Sequence, residues 1–165
     1  MVRIKWPGKG PMMGRTPEGT VFEVVFLVMA IAVWALIVWL ISKSPDVVAT
    51  HFNGKGEPNS WGSPTTVIFP CLIISVGGLC TLLCAYFPHS INMPVQAENP
   101  RQIALAMRMV RILSLLLLLL TAAIALGMLG SYVGFPFGIA TTVLSVVGLI
   151  MTVCIVFTVL VWKAR

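Results

Sequence analysis

Side chains that could do chemistry are concentrated in one polar stretch, residues 44–64, which lies between two strongly apolar runs. His51, Asn53, Glu57 and Asp46 fall within it, and together they could surround a cation or a polar ligand. Imidazole together with carboxylate oxygen suits Zn²⁺ or another divalent ion. The stretch has one histidine and no cysteine pair, so His51 and Glu57 are the candidate metal ligands and no other cofactor is predicted.

The same stretch also has a purely structural interpretation. Lipid cannot satisfy backbone hydrogen-bonding groups, and serine and asparagine are residues that cap and turn a chain. His51 would then fix the loop by donating to a backbone carbonyl, while Phe52 and Trp61 would close the outer end of a helix bundle. Either interpretation, ligand site or structural motif, uses the same residues: Pro45, Asp46, His51, Phe52, Asn53, Gly56, Glu57, Pro58, Trp61 and Gly62.

Two local conformations are open for the first half of this stretch. Ser44-Pro45-Asp46 is typical of a helix start, with a capping serine, proline at the first helical position and an acid in the first turn. That helix would end near Asn53-Gly54. The β-branched residues in between suit an extended strand equally; they are Val47, Val48 and Thr50.

Catalytic patterns are missing from the sequence. We find no nucleophile beside a base, no phosphate-binding glycine loop and no pair of carboxylates, and we therefore predict no catalytic residue. The apolar runs carry hydroxyls, thiols and the Gly77-Gly78 pair, where a neighbouring helix can approach closely, rather than the polar midplane residues of transporters. These observations favour a binding or interaction protein over an enzyme, with a small transporter or a metal-dependent enzyme using the His51 loop as the alternative.

Composition places the chain in a membrane. Of 165 residues, 58% are hydrophobic and 10% are charged, whereas an average soluble domain is about one quarter charged. A spanning helix needs about 20 apolar residues, and the sequence contains four such runs. We predict one integral-membrane domain over residues 1–165: an all-α, four-helix bundle with a structured extracytoplasmic loop between helices 1 and 2.

The predicted segments follow the apolar runs. They are a cytoplasmic tail (1–20), a first span (21–41), the extracytoplasmic loop (42–65), a second span (66–87), a cytoplasmic loop with the amphipathic start of the third helix (88–111), a third span (112–130), an extracytoplasmic turn (131–136) and a fourth span (137–162).

The distribution of basic residues predicts the topology. The tail holds four Lys and Arg residues, the region of the second loop three, and the C-terminus two, whereas the opposite side holds Lys43 and Lys55. By the positive-inside rule both termini are cytoplasmic and the 44–64 loop is outside. The net charge of +6 therefore reflects topology, and nucleic-acid binding is not predicted.

Three arginines form a stripe at the start of the third helix. Arg101, Arg108 and Arg111 lie within roughly 80° of one another at 100° per residue. We predict that the stripe contacts anionic lipid headgroups. A soluble partner docking on the stripe is the alternative.

The residues of the 44–64 stretch resemble those of a known family. Pro45-Asp46, His51-Phe52-Asn53, Gly56, Pro58 and Trp61-Gly62-Ser63 directly follow the first span. This pattern is similar to that of the bacterial domain of unknown function 1648 (DUF1648), a family associated with SdpI-type membrane proteins. Asn59 stands where the family often has an acid, and Pro64 where it often has a base.

The cytoplasmic side is also similar to short members of that family, in Asn92-Met93-Pro94, Glu98-Asn99 and Arg101-Gln102. The resemblance implies a multi-pass protein of the bacterial inner membrane. Some SdpI-type members act in immunity or signalling against a secreted peptide toxin, so it also implies a peptide or another membrane protein as partner. An accessory subunit of a membrane complex and a homo-oligomer stay open.

Overall fold

The structure, a computed structural model, describes residues 16–88, 91 and 99–164. Four long helices are α1 (Pro17–Lys43), α2 (Ile68–Cys84), α3 (Pro100–Leu129) and α4 (Ile139–Lys163), and two short strands are β1 (Val48–Phe52) and β2 (Pro58–Gly62). All four helices are long and apolar enough to cross a membrane. The predicted fold class, a helical protein with four membrane-spanning helices, is confirmed.

The helices are organised around α3. This helix packs against each of the other three, whereas α1 and α2 have little contact with each other and α4 packs mainly on α3. Most of the side chains buried within helices belong to α3, while α4 buries only Val161. The remaining apolar surface of α1, α2 and α4 therefore faces outward, as expected for helices that contact lipid.

Glycines set two of the close approaches to neighbouring helices. A Cβ at Gly78 of α2 would lie 3.3 Å from the Ser114 carbonyl oxygen of α3, whereas a Cβ at Gly77 would meet nothing within 4 Å. The approach predicted at the Gly77-Gly78 pair is thus made by Gly78. At Gly127 of α3, a Cβ would lie 2.6 Å from the Cα of Ile139 at the start of α4.

Helix starts follow their capping residues. The Thr16 hydroxyl accepts the N–H of Gly19 at 3.0 Å, so α1 begins at Pro17, before the apolar run itself. At α3 the cap is Asn99, which forms a reciprocal capping box with Gln102, and Pro100 is the first helical residue. Of the predicted tail (1–20), residues 17–20 belong to α1, and residues 1–15 lie outside the described residues, as do 89–90 and 92–98 of the second loop.

Residues 48–52 form a strand, and residues 44–52 do not form the helix that Ser44-Pro45-Asp46 also allowed. Ser44 ends α1 instead of starting a new helix: its N–H donates to the Ile41 carbonyl at 3.2 Å and its hydroxyl to the Leu40 carbonyl at 2.8 Å. Two of the orphan carbonyls of the last turn are thereby satisfied. The chain is then extended through the β-branched residues, and Val48 is fully buried against the bundle.

Candidate functional site

The polar stretch between the first two spans folds into a β-hairpin at one end of the bundle. Strands β1 and β2 pair antiparallel, with Val48 opposite Gly62 and His51 opposite Ser60, and the register is irregular on both sides of His51. Val48 and Ala49 pack into the core, whereas β2 is exposed over most of its length. Strand β1 is therefore anchored in the core, and strand β2 lies at the surface.

The hairpin turn is held by Asn53. Its Oδ1 accepts the N–H groups of Lys55 at 2.9 Å and Glu57 at 3.0 Å, and its Nδ2 donates to Glu57 Oε2 at 2.8 Å. Gly56 has φ +80°, a conformation that favours glycine. The asparagine and glycine of the sequence motif thus have a conformational role that needs no bound ligand.

His51 bonds across the strands to Asn59, with 2.5 Å between Nδ1 and Oδ1. Because an amide oxygen only accepts, Nδ1 donates in this bond. Asn59 therefore accepts this bond with a neutral oxygen. In the family that this stretch resembles, the same position often carries an acid. The predicted bond from His51 to a backbone carbonyl is replaced by this side-chain bond.

The candidate metal ligands serve separate hydrogen bonds. His51 faces Asn59 and Glu57 faces Asn53. Within residues 16–88, 91 and 99–164, no three His, Cys, Asp or Glu side chains come together in a way that could hold a metal ion. The hypothesis of a divalent ion at His51 and Glu57 stays a prediction.

The two aromatic residues of the motif differ in position. Phe52 is half-buried and packs against the core beside the hairpin, as predicted for a residue that closes the bundle. Trp61 is 59% exposed on β2, so the prediction that it closes the bundle is wrong. Pro45 and Asp46 lie exposed between α1 and β1, outside the hairpin.

A cavity of about 440 Å³ lies beneath the hairpin. Its polar side is formed by the end of β1 and the turn, and its apolar side by α2, α3 and the start of α4. The lining residues are Thr50, His51, Phe52, Asn53, Gly54, Gly56, Pro70, Ile124, Met128, Ile139, Ala140, Val143 and Leu144. Sequence reasoning missed this cavity because most of its wall is drawn from helices far along the chain.

At the opposite end of the bundle, the three arginines of the predicted stripe have different surroundings. Arg108 makes two hydrogen bonds to Glu18 of α1, at 2.8 and 2.9 Å, while Arg101 is exposed. Arg111 is only 5% exposed, and its guanidinium lies beside Gly19. Lipid contact stays a prediction for Arg101 and Arg108, but Arg111 faces the interior.

A carboxylate of α1 also faces inward at this end. Glu23 accepts a hydrogen bond from the Tyr86 hydroxyl, which links α1 to the residues just after α2. Together with the Glu18–Arg108 pair, this bond ties α1 to both of its neighbours through polar groups. The sequence signal was the placement of Glu23 in the first turns of an otherwise apolar helix.

The four cysteines are free thiols. Cys71 is buried between α2 and α3, where its Sγ donates to the Thr121 carbonyl oxygen at 3.7 Å. It packs as a small hydrophobe with a weak donor.

Comparison with known proteins gives one match. Residues 28–74, which run from the middle of α1 through the hairpin into α2, match the family model described as "Domain of unknown function (DUF1648)". The predicted resemblance is confirmed over this range. No curated protein and no solved structure matches. The segment that carries the hairpin, residues 28–74, is therefore similar to DUF1648 domains.

Proposed function

We propose that the protein is a non-enzymatic interaction module of a bacterial inner membrane, of the SdpI-like type, which presents the hairpin on the extracytoplasmic side to an extended peptide segment of a partner. The observation that carries this proposal is the asymmetry of the hairpin. Strand β1 is anchored by buried Val48 and Ala49, and β2 is exposed. An exposed edge strand pairs readily with an added strand.

Trp61 is the side chain best suited to anchor such a peptide. It lies on β2 with 59% of its surface exposed, and tryptophan is enriched among the residues that dominate binding energy at interfaces. Pro58 at the start of the strand cannot donate a backbone hydrogen bond. Peptide pairing would therefore be confined to the end of β2 that contains Trp61.

The arrangement of the polar side chains favours binding over catalysis. The polar side chains of the hairpin form two hydrogen-bonded pairs, His51 with Asn59 and Asn53 with Glu57. A hairpin held in this way is preorganised, which lowers the conformational entropy that binding must overcome. A metal-dependent enzyme or a small transporter is the alternative, and stoichiometric metal in the purified protein that is lost in His51→Ala would favour it.

The side of the membrane on which the hairpin lies is inferred from the distribution of basic residues. An even number of spans puts both termini on one side, where nine of the Lys and Arg residues lie, against Lys43 and Lys55 on the hairpin side. The positive-inside rule then makes the termini cytoplasmic. The same reasoning puts the Glu18–Arg108 end of the bundle at the cytoplasmic headgroups.

Site-specific photo-crosslinking tests the proposal. A photoreactive phenylalanine analogue at Ser60 of β2 is expected to give a discrete peptide adduct in native membranes, and Trp61→Ala should weaken it about tenfold, which corresponds to about 1.4 kcal/mol. The same analogue at Phe69, which is 72% exposed on α2, is the control and should give no such adduct. Equal adducts from both positions, or an adduct indifferent to Trp61→Ala, would contradict peptide recognition by β2, and an adduct of twice the chain mass would indicate a second copy instead.

A further inference from the structure

We propose that the cavity beneath the hairpin binds one acyl chain of a membrane phospholipid, with the polar part of that lipid against the hairpin turn. This site is separate from β2 and does not rest on the proposed peptide binding. The first argument is the distribution of polarity in the wall. His51 and Asn53 lie on the hairpin side, and the helix side consists of side chains such as Ile124, Met128 and Val143.

The position of the cavity matches the layers of a bilayer. The hairpin joins the end of α1 to the start of α2, so it lies where spanning helices leave the hydrocarbon. The apolar wall comes from the adjoining turns: Pro70 near the start of α2, Met128 near the end of α3, and Ile139–Leu144 at the start of α4. A phospholipid in the same leaflet presents its polar and apolar parts in this order.

The size of the cavity suits a single acyl chain. The cavity holds about 440 Å³, which is within the usual range of small-ligand sites.

The cavity has a defined boundary where the hairpin meets α4. A Cβ on Gly56 would lie 2.9 Å from the Cβ of Ala140, so the backbone of the turn rests directly on the first turn of α4. Only a glycine fits this contact, and Gly56 also has the positive φ of the turn. Gly56 therefore sets how closely the turn approaches α4 at this edge of the cavity.

The lining also predicts a lack of headgroup selectivity. No Asp, Glu, Lys or Arg is among the lining residues, and the adjoining turn carries one base and one acid, Lys55 and Glu57, so neither an anionic nor a zwitterionic headgroup is favoured. We expect phosphatidylglycerol and phosphatidylethanolamine to be retained equally. This property separates the cavity from the arginine end of the bundle, where anionic lipid would be preferred.

Native mass spectrometry of the full chain tests the site. After reconstitution in vesicles of equal phosphatidylglycerol and phosphatidylethanolamine and return to detergent, we expect one phospholipid per chain. Val143→Trp should fill the cavity and lower that occupancy at least tenfold. Val147→Trp, one turn along α4 and outside the lining, is the matched control and should keep the lipid.

Several results would overturn the proposal: no retained lipid, equal retention in both tryptophan variants, or a retained molecule that is not a phospholipid. A phosphatidylglycerol with a diazirine on its acyl chain keeps the test valid if Val143→Trp does not fold. In the unaltered chain it should label buried Met128, which is 6% exposed and reached through the cavity. Labelling confined to outward-facing residues would contradict the site.

Because Trp61 is outside the lining, loss of peptide adducts with lipid retained would refute the proposed function alone.

Discussion

Replacing Gln102 by leucine is expected to destabilise the protein by about 2–4 kcal/mol, since each buried polar group left without a partner costs about 1–3 kcal/mol. Gln102 is fully buried at the start of α3. Its Nε2 donates to the Val161 carbonyl oxygen near the end of α4 at 2.9 Å, and its Oε1 accepts the Asn99 N–H at 3.2 Å. Leucine fills a similar volume but can make neither bond.

Asn99→Ser provides the control for Gln102→Leu. Serine preserves a helix cap but loses the bond from Asn99 Nδ2 to the Ala164 carbonyl oxygen, which is 2.9 Å long. We expect a loss of about 0.5–1.5 kcal/mol, the usual net value of one hydrogen bond. The free energy of unfolding, measured by titrating the detergent-solubilised chain with a denaturing detergent, gives both values. An effect of Gln102→Leu no larger than that of Asn99→Ser would contradict the role of Gln102 in joining α3 to α4.

Gly127→Ala is expected to separate α4 from α3 and to cost about 1–3 kcal/mol, the usual penalty of overpacking. The new Cβ would lie 2.6 Å from the Ile139 Cα and 2.6 Å from the Thr142 Oγ1. A backbone atom cannot rotate away as a side chain can, so the start of α4 must move. Since α4 packs mainly on α3, it has few other contacts to hold it in place.

Gly148→Ala is the matched control on α4, because a Cβ there meets no atom within 4 Å. Alanine has a higher helix propensity than glycine, so this variant should be as stable as the parent or more so. The free energies of unfolding of Gly127→Ala and Gly148→Ala, measured by the same titration with a denaturing detergent, test this prediction. If Gly127→Ala is as stable as Gly148→Ala, the close approach of α3 and α4 at this point is wrong.

The number and type of the helices could be predicted because a run of about 20 apolar residues satisfies the bilayer in one way. Their arrangement could not, since the four runs are similarly apolar and do not reveal that α3 is central. Neighbouring residues on a helix differ by 100°. The Gly77-Gly78 pair therefore indicated a close approach without telling which glycine makes it.

The hairpin shows a similar division between what could and could not be predicted. Its residues were identified as the distinctive stretch, and an extended conformation was one of two possibilities for Val47, Val48 and Thr50. Ser44 was the misleading signal, because a capping serine can also end a helix by donating to its last carbonyls. The exposure of Trp61 and the inward position of Arg111 depend on contacts with distant elements, which local sequence does not encode.

The side of the membrane on which the hairpin lies is the most direct test of the central claim, that four helices present β2 outside the cytoplasm. Ser60→Cys, in a chain whose four native cysteines have been replaced, should react with a membrane-impermeant maleimide in intact cells. A cysteine at Lys163, near the C-terminus, should react only after the membrane is permeabilised. Ser60→Cys that is protected in intact cells and labelled after permeabilisation would place the hairpin in the cytoplasm and contradict the account.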